Sequence, residues 1–182
     1  MTEILEIGRN PHTPETFAHG AGVTALATEL DLQLDRAAEI AMAIDPQHTL
    51  PDVELIPNPT RIQQIARGSL TDMDYVITYQ GVKIGKSTLV TDKSAGERWF
   101  NGIEIDGAPR REGFGMATYK AAIVGSLAEG ISFRTHGWTQ SEGSKNVWDS
   151  LARRGAARII EPFKRANDGK YLGHYVIDAI KT

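Results

Sequence analysis

The chain has 182 residues, 41% of them hydrophobic, enough for one well-buried domain and too few for two, so a single domain over residues 1–182 is expected. It contains no cysteine, which excludes disulfides, zinc–thiolate sites and thiol nucleophiles together. The net charge of −3 divides into −6 over residues 1–100 and +3 over residues 101–182, an excess too small for the dense basic face of a nucleic-acid binder.

Residues 1–59 read as a helical, proline-rich part. Met1-Thr2-Glu3-Ile4 lacks a basic n-region and an apolar h-region, and no apolar run approaches the roughly 18 to 20 residues of a membrane span, so a soluble, cytoplasmic protein without membrane contact is expected. Thr13-Pro14-Glu15 has the form of an N-cap, a proline at the first helical position and an acidic first turn, which predicts a helix to about Thr28, interrupted at Gly20 and Gly22. A second helix is predicted from Asp31 to Ile44, with Leu34, Ala37, Ala38, Ala41 and Ile44 on its apolar face. The four prolines between Pro46 and Pro59 forbid a long regular element and predict an extended connector.

A short helix is predicted over Thr60–Arg67. Tyr75–Tyr79 and Val82–Val90 flank Gln80-Gly81 and read as a hairpin, and Arg98–Asp106 reads as the next strand. Phe114–Glu129 follows as a helix with Met116, Tyr119, Ala122, Ile123 and Leu127 near one face. Ile131–Thr135 is a strand, Ser144–Arg154 a helix ended by Gly155, and Ala157–Phe163 with Tyr171–Ile177 a hairpin turned through Asn167-Asp168-Gly169.

Between the strand ending at Ile105 and the helix opening at Phe114 stands Arg110-Arg111-Glu112-Gly113-Phe114-Gly115-Met116-Ala117. Two glycines remove the Cβ atoms that keep a ligand off the backbone, the helix start offers unpaired N–H groups and the positive end of its dipole, and the arginines add charge: a cradle for a phosphorylated ligand. Two rival nucleotide motifs fail on counting. Gly81-Val82-Lys83-Ile84-Gly85-Lys86-Ser87 has three residues between its glycines where a P-loop needs four, and Gly113–Thr118 lacks the third glycine of a dinucleotide fingerprint.

Arg110, Gly113 and Gly115, preceded by Ile105 at the end of a strand, resemble the pyrophosphate loop of the GNAT superfamily of acyl-CoA-dependent N-acetyltransferases. The resemblance covers roughly residues 60–178, the core. It implies an α/β (α+β) fold: a GNAT-like mixed, mostly antiparallel sheet flanked by helices, with a C-terminal β-hairpin. It implies acetyl-CoA as co-substrate, no metal, and a primary amine of a small molecule or peptide as acceptor. Arg110 and Arg111 with the backbone of Gly113, Phe114, Gly115, Met116 and Ala117 would hold the pyrophosphate. Ile103 and Ile105 would present strand backbone to the pantetheine arm, as in β-strand addition. Glu104 or Asp106 would take the amine's proton.

The chain departs from the family where an acid and a pantetheine ligand usually stand: Leu151 occupies the tyrosine position and Ser144 the asparagine position, leaving Asn146 as a stand-in if the helix is offset. This departure keeps open a non-catalytic acyl-CoA-binding protein, and the size of the chain keeps open a GNAT-type toxin acting on aminoacyl-tRNA, against which the acidic amino-terminal half argues. His136 and Trp138 lie just past a strand and could face an acceptor, though a loop histidine and a turn tryptophan are the simpler readings. His12, His19, His48 and His174 show no metal-ligand spacing. Exposed edges at the C-terminal hairpin make a homodimer reasonable.

Overall fold

The computed structural model describes residues 19–58, 63–64, 69–106, 113–137 and 140–180, and only the backbone of residues 19–25 and 63–64. The elements run α1 (His19–Ile44), β1 (Val53–Pro57), β2 (Gln63–Gln64), β3 (Leu70–Tyr79), β4 (Val82–Asp92), β5 (Glu97–Ile105), α2 (Phe114–Ala128), β6 (Ser132–Arg134), α3 (Glu142–Arg153), β7 (Arg158–Arg165) and β8 (Tyr171–Ile177). One sheet takes the order β1-β3-β4-β5-β6-β8-β7, with β2 joined to β3. Every pairing is antiparallel except β5 with β6. The expected class, a mixed and mostly antiparallel sheet flanked by helices and closed by a C-terminal hairpin, is the one observed. From β3 onward the elements run strands, helix, parallel strand, helix and hairpin, the order expected from the sequence.

Local chemistry accounts for the best-predicted elements. Gln80 and Gly81 have φ of 50° and 74°, the two left-handed positions of a type I′ turn, whose twist matches the strands it joins. After α3, Ala156 N–H donates to the Leu151 carbonyl and Gly155 N–H to that of Ala152, with Gly155 at φ 73°. This is a Schellman ending, which needs the left-handed residue that glycine supplies.

The amino-terminal part differs from expectation. One helix replaces the two predicted: α1 continues through Gly20, Gly22 and residues 29–30, and the Thr13 start lies outside the described residues. Its buried seam is Gln33, Ala37, Ile40 and Ile44, while Leu34 and Ala38 are exposed. Gln33 enters the core with its amide nitrogen donating to the Ile180 carbonyl at 2.7 Å, while its Oε1 is buried without a partner among the described residues. The proline-rich connector contains strand β1, which pairs with β3 and ends at Pro57, a place where a missing N–H is tolerated. At Gln63–Gln64 the predicted short helix is a strand instead, and the rest of Thr60–Arg67 lies outside the described residues.

α1, α2 and α3 bury their seams in one cluster with Leu89, Phe100, Phe133, Tyr175 and Ile177. Trp148 of α3 stacks on Phe133 and meets the rings of Tyr119 and Tyr175. Tyr175 donates its hydroxyl to Asp149 at 2.9 Å and ties α3 to β8. By strand alternation Asp74, Val76, Lys86, Thr88, Gly102 and Glu104 fall on the opposite face. No helix among the described residues is long and apolar enough to cross a membrane.

Asp45 ends α1 and is 2% exposed. Its carboxylate pairs with Lys120 at 2.8 Å and accepts the Thr49 N–H at 2.8 Å. Although burial alone would raise its pKa, these bonds prevail and lower it to about 2. A depressed carboxylate contributes stability above its unfolded pKa and loses it as pH falls through the folded one. Asp45→Asn is therefore expected to cost about 2 kcal/mol at pH 7, with the difference from wild type shrinking between about pH 4 and pH 2. Urea unfolding at a series of pH values measures this, and a pH-independent difference would contradict it.

Candidate functional site

Among the described residues, β5 and β6 pair as strands at Glu97↔Ser132 and Arg98↔Phe133. Beyond that point the two strands diverge, and the edge of β5 from Phe100 to Ile105 faces α3 across an open groove of about 750 Å³. The groove is walled by Phe100–Ile105 on one side and by Gln140, Ser141, Gly143, Ser144 and Val147 on the other. Gly113, Gly115 and Met116 at the start of α2 line it too, with Tyr119 and His136 also in its wall.

Strand β5 carries a bulge here. Thr88 pairs with Gly102 and Leu89 with Phe100, which leaves Asn101 as the extra residue. Such an insertion bends the strand and turns a peptide group out of the ladder, in this case at the groove. Gly85 of β4 permits the close approach of β5, since a Cβ there would lie 2.3 Å from the Glu104 carbonyl oxygen.

The start of α2 has the properties of an anion cradle. Gly113 is left-handed at φ 83°, and a Cβ on it would stand 3.3 Å from Leu50. Among the described residues, a Cβ on Gly115 would meet nothing within 4 Å. Ala117 N–H donates to the Gly113 carbonyl at 2.9 Å and closes the first helical turn. The Ala117 N–H thus has an intrahelical acceptor, and the N–H groups of the first turn that have none are those of Phe114, Gly115 and Met116. The Phe114 side chain is buried against Tyr79. Arg110 and Arg111 lie outside the described residues, as does Trp138.

The other sequence-derived candidates are dispersed along the groove. Ile103 is half-buried in the groove wall, and Ile105, also in that wall, is buried in a small core with Val53, Ile77 and Phe114. Glu104 is exposed and paired with Lys86 at 2.9 Å. Asp106 follows the end of β5, its N–H bonded to the Ile84 carbonyl. Asn146 does not face the groove. It lines a separate hollow with Asp149, Ala152 and Arg153, because α3 begins at Glu142 and turns Ser144 and Val147 toward β5 instead.

Sequence reasoning missed a hydroxyl chain. Ser144 donates to Gln140 Oε1 at 2.6 Å, so its oxygen is placed to accept from the Tyr119 hydroxyl 2.8 Å away. Leu151, which the sequence resemblance aligned with a tyrosine, is fully buried in the core. A tyrosine thus reaches the groove from α2 instead of α3. The 3.6-residue pattern marked Tyr119 only as apolar, and nothing local pairs it with a serine 25 positions on. Burial pushes its pKa above the ordinary tyrosine value, offset in part by hydrogen bonding with Ser144 and Trp148.

His136 sits past β6, half-buried in the groove wall. Burial first, and then the Arg134 guanidinium, lower its pKa below the ordinary histidine value. Arg134 is itself fixed by Glu97 at 2.6 Å and lies 4.0 Å over the Trp99 ring.

A second hollow of about 530 Å³ lies on the sheet face away from the helix cluster, walled by Asp74, Val76, Lys83, Lys86, Thr88 and Glu104. It shares Gly102, Ile103 and Glu104 with the groove. Among the described residues, no group of three or more His, Asp or Glu side chains could hold a metal ion.

No family model matches the chain, and no curated protein matches it. Among solved structures, a protein described as an acetyltransferase from the GNAT family of Bacteroides thetaiotaomicron aligns with a TM-score of 0.39 and 13% identity. The alignment covers 64% of this chain and 65% of that one, under two thirds of the other protein's length.

Proposed function

We propose that the protein is an acyl-CoA-dependent N-acyltransferase that moves an acetyl group from acetyl-CoA to a primary amine. The divergence of β5 from β6 carries this reading, because it leaves a strand edge free beside a helix N-terminus. A ligand that needs both is an extended, amide-bearing arm with an anionic end. The pantetheine amides pair with the β5 edge as an added strand, and the pyrophosphate meets the first turn of α2. That polarity puts the thioester at the Asn101 end, near Tyr119, Ser144 and His136.

In the transfer, the ammonium first gives a proton to a base. The amine nitrogen then attacks the thioester carbon, a C–N bond forms, and the C–S bond breaks. The remaining excess proton on nitrogen ends on the departing thiolate, so the products are an amide and a free thiol. Glu104, where the groove and the second hollow meet, is the candidate base. His136 is the alternative, favoured by its place at the thioester end. The Tyr119–Ser144 hydroxyls can hydrogen-bond the sulfur as it leaves.

Thermal unfolding with and without acetyl-CoA tests the co-substrate, with ATP and NAD as controls. At about 100 times its dissociation constant a ligand adds roughly 2.7 kcal/mol, a shift of several degrees for a domain of this size. The expected result is a shift with acetyl-CoA that the controls do not reproduce. Its absence would overturn the assignment.

A further inference from the structure

Tyr119, Ser144 and Gln140 all line the groove, and the hydrogen bonds that join them run in one direction. The Gln140 backbone is fixed against Tyr171, donating to its carbonyl at 2.6 Å and accepting its N–H at 2.9 Å. Its side chain is buried, with Nε2 donating to the His136 carbonyl at 3.2 Å. A main-chain carbonyl only accepts, so it takes the amide NH2 and leaves Oε1 facing Ser144. Ser144 gives its single proton to that Oε1 at 2.6 Å, and Tyr119, 2.8 Å away, donates to the Ser144 oxygen in turn. Behind Tyr119 the Trp148 indole, whose N–H only donates, bonds the phenol oxygen. One end of the chain cannot accept and the other cannot donate, so its direction is fixed.

The two hydroxyls therefore differ in what they can offer a ligand. Tyr119 turns its proton elsewhere only by abandoning the Ser144 oxygen. Ser144 can rotate its O–H from Gln140 into the groove and still accept from Tyr119, so one bond is exchanged and none is lost. A thioester sulfur is a weak acceptor and does not compete with the amide oxygen. A departing thiolate is ionised, and hydrogen bonds to ionised acceptors are about twice as strong as neutral ones. The exchange is favoured only as the C–S bond breaks, which makes it an interaction of the transition state and not of the bound substrate.

We propose that Ser144 is the catalytic hydroxyl that donates to the sulfur as it leaves, with Tyr119 and Gln140 as its positioning residues. Tyr119 polarises the Ser144 O–H by donating to its oxygen, and Gln140 holds the proton until charge develops. Neither hydroxyl ionises, and the proton that ends on sulfur is the one carried in by the amine. This role rests on the acyltransferase reading above.

Free CoA and desulfo-CoA, which lacks the thiol, test this without an acceptor, since a group that donates to sulfur binds the thiolate better than the thiol. Calorimetric titrations run from below to above the pH at which the thiol ionises, and desulfo-CoA removes the effects of pH on the protein and on the rest of the ligand. The wild type is expected to gain about tenfold in CoA affinity relative to desulfo-CoA over that range. Ser144→Ala abolishes the gain while still binding desulfo-CoA, which shows that it folds. Ser144→Thr, which retains the hydroxyl, keeps the gain. Tyr119→Phe reduces it to about threefold and adds no loss in the Ser144→Ala background, because Tyr119 acts through Ser144. If the wild type binds neither ligand, the acyltransferase reading falls. If it binds both but shows no gain, keeps the gain in Ser144→Ala, or loses more of it in Tyr119→Phe than in Ser144→Ala, the Ser144 assignment alone is overturned.

Discussion

Gly115→Glu is expected to weaken acetyl-CoA binding by about a hundredfold or more while leaving the free protein as stable as the wild type or slightly more so. Gly115 is the second residue of α2 and lines the groove, and a Cβ on it meets no described residue within 4 Å, so the new side chain enters the space assigned to the pyrophosphate without disturbing the fold. Two effects then separate. A carboxylate in the first turn favours the helix dipole and replaces a poor helix former, together worth about 1 kcal/mol. The same carboxylate occupies the anion cradle and repels phosphate at a separation where like charges cost several kcal/mol in partly desolvated surroundings, on the order of the 2.7 kcal/mol that a hundredfold loss represents. Calorimetric titration and melting of the same variant read both. Unchanged affinity for acetyl-CoA would remove the phosphate site from α2.

Trp148→Ala has the largest expected effect on stability, a loss of about 3–5 kcal/mol. Trp148 is 1% exposed, stacked 6.1 Å from Phe133 and 5.9 Å from Tyr119. Its removal leaves a cavity where α2, α3 and β6 meet, and the surrounding rings can close it only by moving α3. Since α3 carries Ser144 and Val147, that movement also disturbs the groove wall. Urea unfolding checks the magnitude, and a loss under about 1 kcal/mol would show that α3 is not anchored through this residue.

Elements whose signals are local were legible in the chain. The Gln80-Gly81 turn needs two left-handed residues, the end of α3 needs Gly155, and the start of α2 needs the freedom of Gly113. Each requirement is met within a few residues of the feature it specifies. The N-terminal part was misread because glycine and a polar seam residue argue locally against one long helix. Packing against α2 and the bond from Gln33 to the Ile180 carbonyl prevail over those preferences, as tertiary burial commonly does for helices of weak propensity.

The candidate site divides in the same way. The Gly113–Gly115 cradle and its place between a strand and a helix could be read from the sequence, since a helix N-terminus creates its own donors. The Tyr119–Ser144 contact, the turning of Asn146 away from β5, and the groove between β5 and β6 could not. Each joins residues distant in the chain, and sequence periodicity reports which face a residue takes on its own element, without reporting what another element brings to that face. Sequence determined where the backbone starts, turns and stops; only the tertiary structure decided which side chains meet, because that depends on how far two strands are allowed to part.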